Sequence, residues 1–167
     1  MPAIPNAPNS QFKDYGLNAG TGFAPCCPER WGGTPPSGAS DGMGSLDYCP
    51  SMRDVTDGTS QTFLHLELSR AAVHSWISIN QGSNQFSWVH HPSQGMVVAG
   101  ELGSSSPPFP PNSNFPNSRG AIGPHPGGLN VSFADGHVQW IKQSINFKVY
   151  RSLFSRALGE VNSSDSF

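Results

Sequence analysis

Six histidines, three Asp-Gly pairs, one glutamate on an alternating run and three cysteines are the residues of this chain with chemistry to offer. His90 and His91 are adjacent in an aromatic, β-branched run. Neighbours in a strand face opposite sides, so the two cannot chelate one ion together. Nine residues separate His125 from Asp135, and His137 follows two residues later. His125 and Asp135 are the weak candidates for a cation site. The favoured alternative is structural: His125 fixes the Gly127-Gly128 bend through a backbone hydrogen bond, and Asp135 makes the turn with Gly136. Asp57 precedes Gly58 in the same way, and aspartate side chains commonly bond turn backbone. His65 and Glu67 share a strand face at i, i+2 and could form an acid–base pair. No nucleophile elbow and no phosphate-cradling loop accompanies them. The expectation is no catalysis and no cofactor.

Cys26, Cys27 and Cys49 are an odd set. Adjacent cysteines seldom bridge each other, because the geometry is strained. Cys49 can pair with Cys26 or Cys27, which closes a loop of about 22 residues and contributes roughly 3 kcal/mol. Zinc is disfavoured, since Cys26-Cys27 lacks the usual separation and no histidine is nearby.

These residues must be held by a loop-rich β protein. Leu129, Val131 and Phe133 alternate with Asn130, Ser132 and Ala134, the period of a half-buried strand. Asp135-Gly136 reads as a two-residue turn. That turn sets Phe133 opposite Val138 and Val131 opposite Trp140, and it sends Trp140 to the core. The hairpin over 129–142 is expected near the centre of an antiparallel sheet. Arg53–Val55, Trp76–Ile79, Phe86–His90 and Met96–Ala99 read as further strands. Along Phe63–Leu68, Leu64, Leu66 and Leu68 point one way and Phe63, His65 and Glu67 the other. Residues 20–45 and 102–124 are long Gly/Pro-rich loops. A helix over 147–157 is capped by Asn146, with Ser144 as the alternative cap. It carries Phe147, Tyr150, Phe154 and Ala157 on one face to pack on the sheet, and Gly159 stops it. The fold class is α+β, mostly β. Residues 1–12 contain Pro2, Pro5 and Pro8 and read as an extended arm. Residues 13–167 read as a single globular domain.

Charged residues make up 12% of the chain, the formal net charge is −2, and Gly and Pro number 19 and 16. Disorder normally brings higher net charge and fewer aromatics than the 10 Phe, 4 Trp and 3 Tyr present. No basic patch exists, which excludes a nucleic-acid partner. No run is apolar enough to span a membrane. Trp31, Trp76, Trp88 and Phe109 could stack on sugars. Asn130-Val131-Ser132 and Asn162-Ser163-Ser164 match the glycosylation sequon. The Ser/Pro-rich stretch at 103–118 is the better place for attached glycan.

Three blocks carry a resemblance. The first is His125-Pro126-Gly127-Gly128 through Asp135-Gly136. The second is Asp54-Val55-Thr56-Asp57-Gly58-Thr59-Ser60-Gln61-Thr62 with Glu67. The third is Ser144-Ile145-Asn146-Phe147 through Arg156-Ala157-Leu158-Gly159-Glu160-Val161. Asp14-Tyr15-Gly16-Leu17-Asn18-Ala19-Gly20 opens the domain in a matching way. In order and spacing the chain resembles the bacterial prepilin-type, processing-associated His-X9-Asp-Gly domain, found in proteins similar to the major pseudopilin of type II secretion. The resemblance implies a pilin-like sheet and an extracellular or cell-surface location, which favours the disulfide. That family begins with a basic leader and a long apolar helix. This sequence shows neither, so the expectation is a natural chain that extends upstream of Met1.

The functional expectation is a structural, non-catalytic subunit of an extracellular pilus-like or pseudopilus-like helical filament, with identical subunits as partners. Ile4 and Phe12 would anchor the arm on a neighbour. The alternative is a monomeric cell-surface module that binds carbohydrate or another ligand.

Overall fold

The computed structural model describes residues 15–21, 41–44, 49–68, 96–97, 99, 108–113, 120–160, 162 and 167. Five strands form one sheet: β1 (Tyr15–Asn18), β2 (Phe63–Glu67), β3 (Met96–Val97), β4 (Gly128–Phe133) and β5 (Val138–Lys142). Their spatial order is β3-β1-β2-β4-β5. The pairs β1·β2, β2·β4 and β4·β5 are antiparallel, and β3 joins β1 in parallel. One short helix, α1 (Phe147–Ser152), follows β5. The fold is α+β and mostly β. Among the described residues the hairpin is not central as expected: β4 is interior, but β5 stands at the sheet's edge.

One face of the sheet carries the core. Phe63, Leu66, Val97, Leu129, Val131, Phe133 and Ile141 pack there with Tyr150, Leu153 and Phe154 from α1 and the turn after it. Phe63 sits at the middle, with ring centroids 5.1 Å from Phe133, 5.7 Å from Tyr150 and 5.4 Å from Phe154. Burial holds the Tyr150 phenol above its ordinary range, by desolvation alone. Buried Asn18 ties three segments: its amide donates to the carbonyls of Phe63 at 2.7 Å and Phe154 at 3.0 Å, and its Oδ1 accepts the Gly20 N–H at 2.8 Å. On the opposite face a smaller cluster of Met43, Val55 and Ala134 packs against Leu17 and Leu64.

The hairpin register differs from the expected one by a single residue. Ser132 pairs with Val138, Val131 with Gln139, Asn130 with Trp140 and Leu129 with Ile141. The cause is the turn. The Gly136 N–H bonds Phe133 O at 2.9 Å, and the Phe133 N–H bonds His137 O at 2.9 Å. The loop is therefore three residues, Ala134-Asp135-Gly136, with Gly136 in the left-handed region at φ 93°. A slip of one residue exchanges the faces of the whole return strand. Ile141 takes the core position at 0% exposure, while Trp140 is turned outward at 39%. The expectation of a core Trp140 is thereby corrected.

Three further expectations change. Arg53–Val55 is not a strand: Met52–Asp54 is a 3-10 turn, and the Asp54 carboxylate accepts the Ser51 N–H at 2.8 Å. In β2 the alternation breaks, because the register shifts between Phe63 and His65. That bulge lets both Phe63 and Leu66 reach the core. The helix ends at Ser152, short of Ala157, which is exposed. Its cap is Asn146, whose Oδ1 accepts the Lys148 N–H at 2.9 Å. The expected strands at 76–79 and 86–90 and the arm at 1–12, with Ile4 and Phe12, lie outside the described residues.

Candidate functional site

The end of β2 places Glu67 against the start of β4. Leu66 faces the core, so Glu67 faces the other way, beside Asn130. The Glu67 carboxylate accepts the Asn130 backbone N–H at 2.9 Å and the Asn130 side-chain amide at 3.1 Å. The Glu67 carbonyl also accepts the Ile122 N–H at 2.9 Å. His125 Nε2 stands 3.4 Å from Glu67 Oε1, with the Glu67 side chain 6% exposed and the imidazole 51%. Glu67 thus joins β2, β4 and the 121–125 segment that approaches them.

His125 also meets Trp140, edge to face, with centroids 5.9 Å apart. The indole lies across the backbone of Gly128: a Cβ there would fall 2.6 Å from Trp140 Cε2 and would also strike the Ile141 carbonyl. Glycine is therefore required by close approach. Gly127 is the bend itself, at φ 86°, and its carbonyl accepts the Gln143 N–H at 2.8 Å. Asn112 supports the same bend from the 108–113 loop. Its amide donates to Gly128 O at 3.0 Å, and its Oδ1 accepts the Gly123 N–H at 2.7 Å.

Asp135 is at the other end of β4. A strand of six residues spans about 20 Å, so His125 and Asp135 do not converge and the cation pair is not formed. Asp135 instead accepts the His137 backbone N–H at 3.1 Å and contacts His137 Nδ1 at 2.6 Å. These bonds, the backbone one foremost and then the imidazole, hold its carboxyl below the ordinary value of 3.8. The His137 ring stacks on Phe133, with centroids 4.2 Å apart. Among the described residues, no group of three or more His, Cys, Asp or Glu could hold a metal.

Asp57 serves a third place. Its carboxylate accepts the N–H groups of Leu158 at 2.8 Å and Gly159 at 2.9 Å, and the Ser155 hydroxyl at 3.1 Å. Its own N–H bonds Arg156 O at 3.1 Å. Gly58, at φ 103°, leads into the 3-10 turn Thr59–Gln61. So Asp57 grips a segment one hundred residues away rather than its own turn. The three sequence blocks are physically joined: the second holds the first through Glu67 and the third through Asp57.

The structure does not bring His65 to Glu67. His65 meets Ser132 instead, Nδ1 to Oγ at 3.5 Å. That distance is long for a hydrogen bond, and Ser132 Oγ already accepts the His65 backbone N–H at 3.2 Å. Cys49 is a free, exposed thiol; its expected partners Cys26 and Cys27 lie outside the described residues, and no disulfide is formed among the described ones. Phe109 is 1% exposed and cannot serve as a surface platform. Trp31, Trp76 and Trp88 lie outside the described residues. Asn130, in the first sequon, is engaged with Glu67. Asn162, in the second, accepts the Ser152 hydroxyl at 3.0 Å.

The His-to-Asp-Gly hairpin and its Glu67 anchor lie within one family match. The chain belongs to the family described as a protein of unknown function, DUF1559, whose model matches residues 7–148. No curated protein and no solved structure matches the chain. The family match includes Asp57, Glu67, His125 and Asp135, and it ends before the 155–159 segment that Asp57 holds. Among the described residues no helix is long and apolar enough to cross a membrane.

Sequence reasoning missed Asn18, Asn112 and the outward Trp140. Asn112 had a signal in Pro110-Pro111-Asn112, a turn sequence whose asparagine takes φ 59°. Asn18 stood only as a member of the opening block, because the carbonyls that its amide binds are remote in sequence.

Proposed function

We propose that this domain is a structural, non-catalytic subunit of an extracellular or cell-surface filament of the pilus or pseudopilus kind. The observation that carries the reading is the sheet's edge. β5 has no neighbour beyond it among the described residues, and its outward residues Val138 and Trp140 are 67% and 39% exposed. An edge that presents apolar side chains is a hazard for a solitary protein and an asset for one that assembles.

Two supports stand beside it. The motif carboxylates are spent on holding backbone, as Asp57 and Glu67 illustrate. The three blocks also resemble those of prepilin-type His-X9-Asp-Gly proteins. Low surface charge removes repulsion between identical subunits. A head-to-tail contact repeated between copies propagates as a helix.

The test is electron microscopy together with light scattering of purified full-length chain. Regular fibres are the expected result. A stable monomer that retains glycans on an array would overturn the reading in favour of a binding module.

A further inference from the structure

The cross-strand register lines up one row on the sheet face opposite the core. Tyr15 pairs with Glu67, Glu67 bonds Asn130, and Asn130 pairs with Trp140. Tyr15 is 46% exposed and Trp140 39%. The row thus has an aromatic ring at each end and polar side chains between. Three strand spacings separate the rings, about 14 Å. Trp140 is held on two sides, by Gly128 beneath and His125 at its edge, so its exposed surface is fixed in place.

Residues 1–12 offer the complement. They carry no charged side chain, and their prolines fall at 2, 5 and 8. Polyproline II has three residues per turn and rises 3.1 Å per residue. In that conformation the three prolines line one edge over about 19 Å, long enough to cross the row. Addition of this segment to β5 as a strand is less suited. An edge ladder uses the N–H of every second residue, and prolines at 2, 5 and 8 interrupt both alternations. Stacking of proline rings on aromatic side chains needs no N–H.

We propose that the proline stripe of residues 1–12 of one copy seats on the Trp140–His125 end of this row on a second copy. We place the occupant on another copy because, among the described residues, nothing covers Trp140 and Val138. The proposal deepens the filament reading and rests on it for its partner.

The test uses full-length chain in three forms: wild type, Trp140→Ala, and a triple variant with Pro2, Pro5 and Pro8 changed to alanine. The triple variant leaves the sheet untouched, so it guards against misfolding of the first. Fibres are scored by electron microscopy. In parallel, a synthetic peptide of residues 1–12 is added in excess to isotope-labelled protein, and the indole N–H of Trp140 is followed by NMR. Loss of fibres in both variants, with the Trp140 signal shifted by the peptide, is the expected result. A Trp140 signal unmoved by the peptide overturns the proposal, as do undiminished fibres in both variants, even though fibres would uphold the filament reading. A wild type without fibres whose Trp140 is still shifted upholds the docking and sinks the filament.

Discussion

Glu67 and Asn130 are bound twice over: the carboxylate of the first accepts both the backbone N–H and the side-chain amide of the second. The two residues are 63 positions apart in the chain. Their link fixes β2 against β4 where the 121–125 segment crowds in, and it orients His125, whose ring then braces Trp140.

Removal of this carboxylate strands a part-buried N–H. Glu67→Ala is expected to cost about 1–3 kcal/mol, the usual penalty for an orphaned donor. Glu67→Gln keeps an accepting oxygen for one of the two bonds and should cost less. Urea denaturation of the three proteins gives the order. Equal stability of Glu67→Ala and wild type would show that the anchor is dispensable.

Asp57 acts on the end of the chain rather than on the sheet. Leu158 and Gly159 are exposed, so water can replace part of what the carboxylate supplies. Asp57→Ala should cost about 1–2 kcal/mol, and amide exchange should accelerate at Leu158 and Gly159 before it does in β4. Uniform acceleration throughout the protein would argue that the segment has no separate role.

The elements legible in the sequence are those with local causes. The alternation of Leu129, Val131 and Phe133 gave β4, and Asn146 marked the start of α1, because a period and a cap are written in neighbouring residues. Asp135-Gly136 marked the turn but not its length. Two-residue and three-residue loops share that dipeptide, and the choice depends on whether Ala134 joins the loop. Ala134 packs with Met43 and Val55, and its N–H bonds Thr62 O at 2.8 Å, contacts from elsewhere in the chain. The β2 bulge was hidden for the same reason: Leu64 is drawn to that cluster while Phe63 is drawn to the aromatic core. The site residues were legible as types. Their partners, such as Asn130 for Glu67 and Leu158 for Asp57, were not, since nothing local encodes them.

The register makes a quantitative contrast between neighbours. Ile141 is fully buried and Trp140 is partly exposed. Ile141→Ala should cost about 2–5 kcal/mol, as for a filled core site. Trp140→Ala removes more atoms but should cost only about 1 kcal/mol, because its ring rests on the surface. Thermal melts of both variants decide the matter. A larger loss for Trp140→Ala would mean that the hairpin pairs in the other register.

Asp135 gives the protein an acid-side dependence whose sign follows from its neighbours. The His137 N–H and imidazole hold its carboxyl below the unfolded value. The stability so contributed is fully present above the ordinary carboxylate range. It is lost as pH falls through the folded value, once the carboxyl is protonated. Asp135→Asn removes this titration. At neutral pH the variant should therefore melt below wild type, and the gap should close as the solution is taken to pH values under the carboxylate range. The group is exposed, so the gap is small and should shrink further in high salt. Melting curves of both proteins across that acid range provide the check. A gap that stays constant with pH would assign the effect to the turn's shape rather than to the charge of Asp135.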